Sequence, residues 1–451
     1  MIKKIIKHLL PKSVLLGYHN MRAHLTALFF GFPGRRLQVI AVTGTNGKST
    51  VVSMIGQLLI RQGQKVGWAS TASIRIGDSE KLNDTKLTTV SPAYLQRLLK
   101  RMVKAGCHYA IIEASSEGLA QGRLNGIPIQ TAVFTNLTPE HIEAHGSFEK
   151  YARAKEKLFS KVSSAKKGKG VRCLVVNIDD PQAGRFLAYQ VERAVGCTLE
   201  LNPKVPASAS QLIIRQAKIV QEADSYSEFQ IDNTGFHLNM IGRFNIMNSL
   251  QSIAVVEQLG HPLAAIAETL PTIERIPGRL EFIEAGQPFK VLVDYAPEPA
   301  SMAALYSLIP KFKARKIIHV FGSCGGGRDK ARRPLLGKWV AERADLAIIT
   351  NEDPYDEPPE KIINDIYQGA LQADPKKASV EKIPDRRQAI QQALIAARPG
   401  DVVLITGKAC EQWIMGKNGQ KIPWDDRKVI RELFKEIAVE KPNLGKNQKN
   451  I

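Results

Sequence analysis

The chain has 451 residues, of which 44% are hydrophobic and 24% are charged, as in an ordinary globular protein. This composition excludes a disordered chain, a collagen and a coiled coil, and the length indicates roughly two to four domains. Lysine and arginine outnumber aspartate and glutamate by 63 to 43, which gives a net charge of +20. Most of this excess lies in two segments, because residues 1–77 contain no acidic residue and residues 150–170 contain only Glu156.

Residues 1–36 form a short basic arm in which apolar residues recur at helical spacing: Ile2, Ile5, Ile6, Leu9 and Leu10. We interpret the arm either as a helix packed on the following domain or as a helix that lies on a membrane surface. No apolar run approaches the roughly 20 residues of a membrane-spanning helix. No signal peptide is recognisable, and five scattered cysteines without a CxxC pair are typical of a reducing cytoplasm.

From residue 37 onward, short apolar runs alternate with amphipathic helical stretches, which predicts an α/β fold with a mostly parallel sheet. Residues 203–240 instead alternate apolar and polar positions, so we expect an antiparallel patch within or at the edge of that sheet. A turn-rich segment precedes a second α/β series. We therefore predict a P-loop-containing central domain over residues 37–272 and a smaller Rossmann-like α/β domain over residues 273–451.

The strongest motif is AVTGTNGKST at residues 41–50, between an apolar run and a helical pattern. Gly44 and Gly47 permit a tight turn whose backbone N–H groups face phosphate oxygens. Lys48 is placed to reach the β- and γ-phosphates, and Ser49 to bind Mg²⁺. The first glycine of the usual motif is replaced by Val42, so the sequence predicts a shortened phosphate-binding loop.

Three further residues of this domain have two interpretations each. Glu113 ends an apolar run, where a carboxylate suits Mg²⁺ but is also typical of a solvated strand end. His141 is a candidate metal ligand or general base, although a lone histidine is more often structural. Lys155 lies among other cations on a basic helix and, taken alone, is predicted to be a solvated surface lysine.

The second domain carries a group of cations close to glycines: Arg279, Arg328, Lys330, Arg332 and Arg333. Such a group suits phosphoryl chemistry or carboxylate binding. The segments NEDPYDEPP and GKACEQW each follow an apolar run, so we place both at the carboxyl edge of the second sheet.

These segments, taken in order, resemble the Mur ligase family. The resemblance rests on TGTNGKST, EASS, AQGR, FTNLTPEHIEAHGSFEKYARAKEKLF, GRFNIMN, IPGRLE, VDYA, GGRDKARRP and GKACE, and it extends from about residue 37 to 430. The segments are most similar to those of the MurE-like tripeptide synthetases. The resemblance implies ATP-dependent addition of an amino acid to UDP-MurNAc-L-Ala-D-Glu, through an acyl phosphate, in peptidoglycan precursor synthesis.

The resemblance also implies roles for single residues. ATP and its Mg²⁺ are assigned to Gly44, Thr45, Asn46, Gly47, Lys48, Ser49, Thr50, Asn248, Arg279 and Asp294. Two ions are implied, held by Ser49, Glu113, His141 and a carbamylated Lys155, with Lys48, Lys155, His141 and Lys330 as catalytic residues. The nucleotide-linked peptide is assigned to Thr88, Thr89, Ser115, Gln121 and Arg123, and the incoming amino acid to Arg328, Asp353, Tyr355, Gly407 and Glu411.

The sequence departs from the family at several places. The DNPR turn of diaminopimelate-adding members reads EDPY at residues 352–355, GKGHE reads GKACE at 407–411, and YAHTP reads YAPEP at 295–299. The family's N-terminal uridine-binding domain has no counterpart in the basic arm. The first two departures leave the identity of the amino acid open.

The sequence is compatible with other functions. A ligase with another acceptor, such as a folylpolyglutamate synthase or a cyanophycin-synthetase-like enzyme, would share the architecture. A noncatalytic homologue would explain the altered YAHTP motif. A nucleic-acid-binding ATPase would use the net charge, but the chain has no aromatic-interleaved basic patch. We expect a cytoplasmic monomer with no nucleic-acid partner, and for the arm we favour packing on the following domain over contact with a membrane.

Overall fold

The computed structural model of the chain describes residues 12–140, 142–165, 170–206, 211–327 and 329–444. The chain divides into two compact units, residues 1–274 and 275–451. His141 and Arg328 fall outside the described residues, as do the apolar positions of the arm before residue 12. Among the described residues, no helix has the length and apolarity needed to cross a bilayer.

The first unit is built around an eleven-stranded sheet with the order β11-β10-β9-β8-β7-β6-β1-β5-β2-β3-β4. Its strands are β1 (Gln38–Thr43), β2 (Val66–Ala69), β3 (Ser73–Ile76), β4 (Ser79–Leu82), β5 (Tyr109–Glu113), β6 (Thr131–Phe134), β7 (Cys173–Asn177), β8 (Arg193–Thr198), β9 (Leu212–Glu222), β10 (Ser227–Ile231) and β11 (Thr234–Leu238). The strands from β2 to β9 in this order are parallel, and antiparallel pairs close both edges. The predicted parallel sheet and its antiparallel patch are therefore confirmed.

Helices cover both faces of this sheet. The described helices of the unit are α1 (Lys12–Phe29), α2 (Lys48–Arg61), α3 (Pro92–Lys104), α4 (Ser116–Ala120), α5 (Ile142–His145), α6 (Phe148–Ser163), α7 (Ala183–Leu187), α8 (Arg243–Gln258) and α9 (Leu263–Thr269). One core cluster joins the sheet to α3 and α6, and the other joins it to α2 and α8. Because both faces are buried, the central strands are apolar throughout rather than alternating.

The second unit has a six-stranded sheet with the order β12-β13-β17-β14-β15-β16 and a separate hairpin, β18-β19. Its strands are β12 (Glu281–Phe282), β13 (Lys290–Asp294), β14 (Ile317–Phe321), β15 (Leu346–Ile349), β16 (Ser379–Lys382), β17 (Val402–Thr406), β18 (Trp413–Met415) and β19 (Lys421–Pro423). Its described helices are α10 (Pro299–Tyr306), α11 (Arg332–Ala341), α12 (Pro359–Leu371), α13 (Arg386–Ala396) and α14 (Asp426–Leu444). All strands from β13 to β16 in this order are parallel, which confirms the predicted second α/β sheet.

Candidate active site

The phosphate-binding motif forms the connection between β1 and α2. Gly44 and Gly47 have positive φ angles of 149° and 81°, and a Cβ on Gly47 would collide with the side chain of Asn248. The loop is anchored on Asn136, whose carbonyl accepts from the Thr45 amide at 2.8 Å and whose Oδ1 accepts from the Asn46 amide at 2.9 Å. The loop is thus held at the N-terminus of α2, where backbone N–H groups and the helix dipole favour an anion.

Lys48 and Asn248 complete the surroundings of this loop. The ammonium group of Lys48 donates to the Thr45 carbonyl at 2.7 Å, so its side chain folds back along the loop. Asn248 lies on α8 and is buried beside Gly47. Strand–helix packing within the first unit therefore brings two distant parts of the sequence, residues 44–50 and Asn248, to one place.

Glu113 lies beside the phosphate loop because β5 is hydrogen-bonded to β1. Its Oε2 accepts from the Ser49 hydroxyl at 2.8 Å and from the Thr71 amide at 2.6 Å, while Oε1 accepts from the Thr71 hydroxyl at 3.1 Å. The carboxylate is buried, which excludes a solvated strand end. The Ser49 hydroxyl, the Thr71 amide and the Thr71 hydroxyl are uncharged donors, so none of them neutralises the Glu113 carboxylate. Carboxylate and hydroxyl oxygens are ligands that Mg²⁺ prefers.

Lys155 is only 2% exposed, so the interpretation as a solvated surface lysine is wrong. The helix α6 directs its side chain inward, where Nζ donates to the Gly44 carbonyl at 2.5 Å and lies 4.5 Å from the Tyr151 ring centre. Burial and the neighbouring Lys48 lower its pKa well below the ordinary value, although Glu140 and Glu113 oppose the change. The neighbouring Arg153 and Lys157, both exposed, obscured this in the sequence, although helical spacing from Tyr151 and Leu158 places Lys155 on the buried face.

The residues assigned to the peptide substrate form one hydrogen-bonded group. The Thr89 hydroxyl donates to the Glu113 carbonyl at 2.9 Å and lies 3.1 Å from the Ser115 hydroxyl. Arg123 donates to the Thr89 carbonyl at 2.5 Å and, through Nε, to Gln121 at 3.0 Å. Thr88 joins the group by accepting from the Thr71 hydroxyl at 3.0 Å. Five residues spread over 36 positions in the sequence are thereby linked to Glu113, Thr89 directly and the others through Thr71, Thr89 or Arg123.

Sequence reasoning missed several residues of this region, namely Thr71, Asn136, Tyr151 and His145. Thr71 is a main partner of Glu113, and the Tyr151 hydroxyl lies 2.9 Å from the Thr45 hydroxyl. His145 Nε2 lies 3.1 Å from the Ser116 hydroxyl, and burial, together with Lys155, lowers the pKa of this histidine. His145 lies in the same motif as His141, so its position in that string was the available signal. Thr71 follows β2 with no motif of its own.

In the second unit, Asp294 ends β13 and accepts from the amides of Leu280 at 2.7 Å and Ala296 at 2.8 Å. Burial raises the pKa of Asp294, while the nearby Arg279 acts in the opposite direction. The guanidinium group of Arg279 lies 4.4 Å from the centre of the Tyr295 ring. The two nucleotide-assigned residues of this unit are therefore neighbours.

The residues assigned to the incoming amino acid gather around Lys408. This buried ammonium group donates to Asp353 Oδ1 at 2.7 Å, to Glu411 Oε2 at 2.6 Å and to the Trp413 carbonyl at 2.6 Å. Burial by itself would lower the pKa of Lys408, but Glu411 and Asp353 outweigh it and hold the pKa above its ordinary value. Lys408 was not assigned a role from the sequence.

Gly407 and Tyr355 lie at the edges of the same group. A Cβ on Gly407 would lie 2.6 Å from Oε2 of Glu352, so this loop approaches the EDPY turn closely. The other carboxylate oxygen of Glu352, Oε1, accepts from the Cys324 thiol at 2.8 Å. Tyr355 has a positive φ of 54°, and its amide donates to the Met415 carbonyl at 2.9 Å. The EDPY turn and the GKACE loop are therefore packed directly on each other.

Two of the three described cations of the GGRDKARRP segment, Lys330 and Arg333, lie near acids of the same unit, whereas Arg332 donates to the Ser323 hydroxyl. Arg333 is fully buried and forms ion pairs with Glu357 at 2.8 Å and Asp365 at 2.9 Å. Lys330, by contrast, is half exposed and lies 3.9 Å from Glu357. Arg333 therefore holds the start of α11 to α12, and the geometry gives it a structural role.

The altered YAPEP segment has a local structural explanation. Glu298 is the N-cap of α10, where its carboxylate accepts from the amides of Ala300 and Ser301, each at 3.0 Å. Its own amide lies 3.2 Å from the Ser301 hydroxyl, which completes a capping box, and Pro299 occupies the first turn. Pro297 and Glu298 thus fit the start of a helix.

Comparison with known proteins identifies these features with one family. The family model for the Mur ligase middle domain matches residues 42–256, and that for the Mur ligase glutamate ligase domain matches residues 278–409. The chain is 35% identical over 428 residues to the UDP-N-acetylmuramoyl-L-alanyl-D-glutamate–2,6-diaminopimelate ligase of Geobacillus thermodenitrificans. This alignment covers 94% of this chain and 84% of that protein. It is 36% identical to the UDP-N-acetylmuramyl-tripeptide synthetase of a Roseiflexus species, over 92% of this chain and 82% of that protein.

A solved structure of a UDP-N-acetylmuramoyl-L-alanyl-D-glutamate–2,6-diaminopimelate ligase is also similar. It matches with a TM-score of 0.57 and 30% identity over 89% of this chain and 79% of the other. Sequence and fold therefore agree over both units, and the chain belongs to the Mur ligase family.

Proposed function

We propose that this protein is an ATP-dependent ligase that joins an amino acid to the D-glutamate carboxylate of UDP-MurNAc-L-Ala-D-Glu, in peptidoglycan precursor synthesis. The observation that carries the proposal is the hydrogen bond from the Ser49 hydroxyl of the phosphate loop to Glu113 Oε2, at 2.8 Å, in a chain that belongs to this family. The relatives at 35% and 36% identity are named for this reaction or for this tripeptide product.

The proposed reaction has two steps. The substrate carboxylate attacks the γ-phosphorus of ATP, which forms an acyl phosphate and releases ADP; the amine of the amino acid then attacks the acyl carbon and releases phosphate. A carboxylate requires this activation because its oxygen is otherwise a poor leaving group. Transfer between two anions requires cations, which is the role we propose for Lys48 and the loop amides.

We propose that Ser49 and Glu113 hold Mg²⁺, which would neutralise phosphate charge when bound. The donor set fits, since a hydroxyl and a buried carboxylate meet beside the phosphate loop. Thr89, Ser115, Gln121 and Arg123 would then bind the nucleotide-linked peptide next to the same metal. Thr89 donates to the Glu113 carbonyl, Ser115 and Arg123 are hydrogen-bonded to Thr89, and Gln121 is hydrogen-bonded to Arg123, which supports this assignment.

Carbamylation of Lys155 is also a proposal, and its chemistry follows from the environment of the side chain. An uncharged lysine amine adds to CO₂, forms an N–C bond and loses one proton, so the product is a carboxylate. The lowered pKa of Lys155 favours the uncharged amine, and its contact with Gly44 places the product beside the phosphate loop. A second Mg²⁺ would then have an additional oxygen ligand.

For the second unit, we propose that Asp353, Tyr355, Gly407 and Glu411 bind the incoming amino acid. Among the described residues of this group, four carboxylates (Glu352, Asp353, Glu411 and Asp426) outnumber two cations, Lys408 and Arg386. The surplus of negative charge favours a cationic side chain on the amino acid and disfavours a distal carboxylate. We therefore expect L-lysine to be a better substrate than meso-diaminopimelate.

We further propose that residues 37–272 and 273–451 act as the ATP-binding and amino-acid-binding domains, and that a monomer acts in the cytoplasm. The reducing compartment is supported by the five free cysteines.

The purified chain would be incubated with ATP, Mg²⁺, UDP-MurNAc-L-Ala-D-Glu and single amino acids, while phosphate release and product mass are measured. The expected result is a tripeptide product with one amino acid preferred. If no amino acid raises phosphate release above background, the proposed function is wrong and a noncatalytic homologue is indicated. If meso-diaminopimelate is preferred to L-lysine, the ligase function stands and the carboxylate surplus does not select the amino acid.

A further inference from the structure

Helix α1 has two faces of different character. Ala23 and Ala27 are fully buried, and a Cβ on Gly126 would meet Ala27 at 2.5 Å, so this face packs closely on the loop before β6. The opposite face carries five large apolar side chains that are 52% to 84% exposed: Tyr18, Met21, Leu25, Leu28 and Phe29. At 3.6 residues per turn they lie within an arc of about 100°. We call this row the α1 stripe.

A row of this kind requires a partner, because single exposed apolar residues are ordinary but contiguous ones are not. The chemistry of the surroundings indicates which partner. No acidic residue occurs before Asp78, whereas Arg22, Arg35 and Arg36 lie within or directly after α1 and are exposed. In sequence, residues 1–11 add Lys3, Lys4 and Lys7.

The helix α3 packs beside α1 and extends the positive charge. It contains no acidic residue, and its exposed positions are Arg97, Lys100, Arg101 and Lys104. Lys100 Nζ lies 5.9 Å from the centre of the Phe30 ring, directly after the end of α1. The guanidinium group of Arg35 lies 4.3 Å from the Phe32 ring. Cations therefore flank the C-terminal end of the α1 stripe.

We propose that the α1 stripe docks the protein on the surface of an anionic lipid bilayer, with α1 lying in the plane of the interface. Apolar side chains on one face would enter the acyl boundary, while the flanking lysines and arginines contact anionic headgroups. A second copy of the chain fits this surface less well than a lipid bilayer does. Pairing two α1 stripes would place the lysines and arginines of both copies close together without acidic residues between them. This inference does not depend on ligase activity.

The test uses the full chain and sedimentation with vesicles of phosphatidylglycerol and phosphatidylcholine, or of phosphatidylcholine alone. We expect binding to the anionic vesicles and at least about a tenfold lower partition coefficient for Leu25→Ser/Leu28→Ser, because two leucines no longer enter the interface. The matched control, Leu371→Ser/Ile395→Ser, removes two exposed apolar residues of the second unit and should bind like the parent chain.

A second readout reports insertion directly. With anionic vesicles, a Tyr18→Trp variant should show a blue-shifted tryptophan emission component that the parent chain lacks. Lipids with brominated acyl chains should quench this component. Lys100→Glu/Arg101→Glu should reduce the preference for phosphatidylglycerol. Circular dichroism melting verifies that each variant is folded.

Three results would overturn the proposal: no binding to anionic vesicles, equal binding to neutral ones, or equal binding by the leucine variant. A dimer in light scattering that Leu25→Ser/Leu28→Ser converts to a monomer would also overturn it, since the α1 stripe would then join two copies.

Discussion

The Nζ atom of Lys408 lies 2.7 Å from Oδ1 of Asp353, and the side chains of both residues are almost completely removed from solvent. The same ammonium group binds Glu411, so one lysine of the GKACE loop holds the EDPY turn and its own loop together. Removing one partner of a buried ion pair leaves an uncompensated charge, which is costlier than losing the pair as a whole.

Replacing Lys408 with methionine should therefore destabilise the second unit by about 3 kcal/mol or more. Because the pKa of Lys408 is raised above the ordinary ~10.4, its contribution is fully present at neutral pH and is lost only as pH rises through the higher folded-state value. Urea unfolding at pH 7 measures the loss. Lys435→Met, at an exposed position of α14, is the control and should change stability by less than about 0.5 kcal/mol.

Lys155→Ala should be nearly inactive, because the proposed carboxylate beside Gly44 would be absent. Added acetate or formate should restore part of the activity by supplying that carboxylate. A carbamate signal after incubation with ¹³C-bicarbonate, present in the parent chain and absent in Lys155→Arg, would identify the modification by NMR. Unchanged activity of Lys155→Ala would remove this residue from the site.

We expect Lys155 to make the free energy of unfolding depend on pH in CO₂-free buffer. Burial lowers the pKa of Lys155 in the folded chain. At pH values between this lowered pKa and the unfolded-state pKa of ~10.4, the unfolded chain therefore binds more protons than the folded chain. Stability should accordingly rise with pH across this window. Lys155→Met should flatten the rise in thermal unfolding experiments, and an identical slope in both chains would contradict the expectation.

Glu113→Gln should lower ligase turnover by about a hundredfold and raise the Mg²⁺ concentration required for half-maximal rate. The amide retains the shape of the side chain but lacks the charge, so the melting temperature should change far less than the rate. Glu80→Gln, on β4 of the same unit, is the control. Equal Mg²⁺ dependence of Glu113→Gln and the parent chain would show that Glu113 does not bind the metal.

Removing one partner of the ion pair between Arg386 and Asp426 should destabilise the chain more than breaking a surface pair. Both side chains are buried, with Nε–Oδ1 at 2.8 Å, and Asp426 also accepts from the Ala409 amide at 2.8 Å. Arg386→Met should cost about 3–5 kcal/mol. The double variant Arg386→Met/Asp426→Leu should cost less than the sum of the single changes, which urea unfolding would measure.

Glu298→Ala tests whether the YAPEP segment is structural. Loss of the N-cap should destabilise the second unit by about 1 kcal/mol, with little change in the KM for ATP. A large increase in that KM with unchanged stability would instead assign Glu298 to the nucleotide.

The α/β architecture and the phosphate loop were predictable from the sequence, because both depend on local spacing. Strands of four to eight apolar residues, helical periods and the glycines at 44 and 47 each leave a signal within a short window. The candidate site was only partly predictable. Thr71 contacts Glu113 from a loop 42 positions away, and no pattern within its own segment marks it.

Sequence by itself determined that this is a two-sheet α/β ligase of the Mur family with a shortened phosphate-binding loop that keeps Lys48 and Ser49. Tertiary structure decided how individual charges are used: Lys155 is buried against Gly44, Lys408 is enclosed by two carboxylates, and the α1 stripe is left exposed beside a basic helix. The reason is that burial and ion pairing depend on which elements pack together. A lysine inside the fold and a lysine on its surface can stand in identical local sequence.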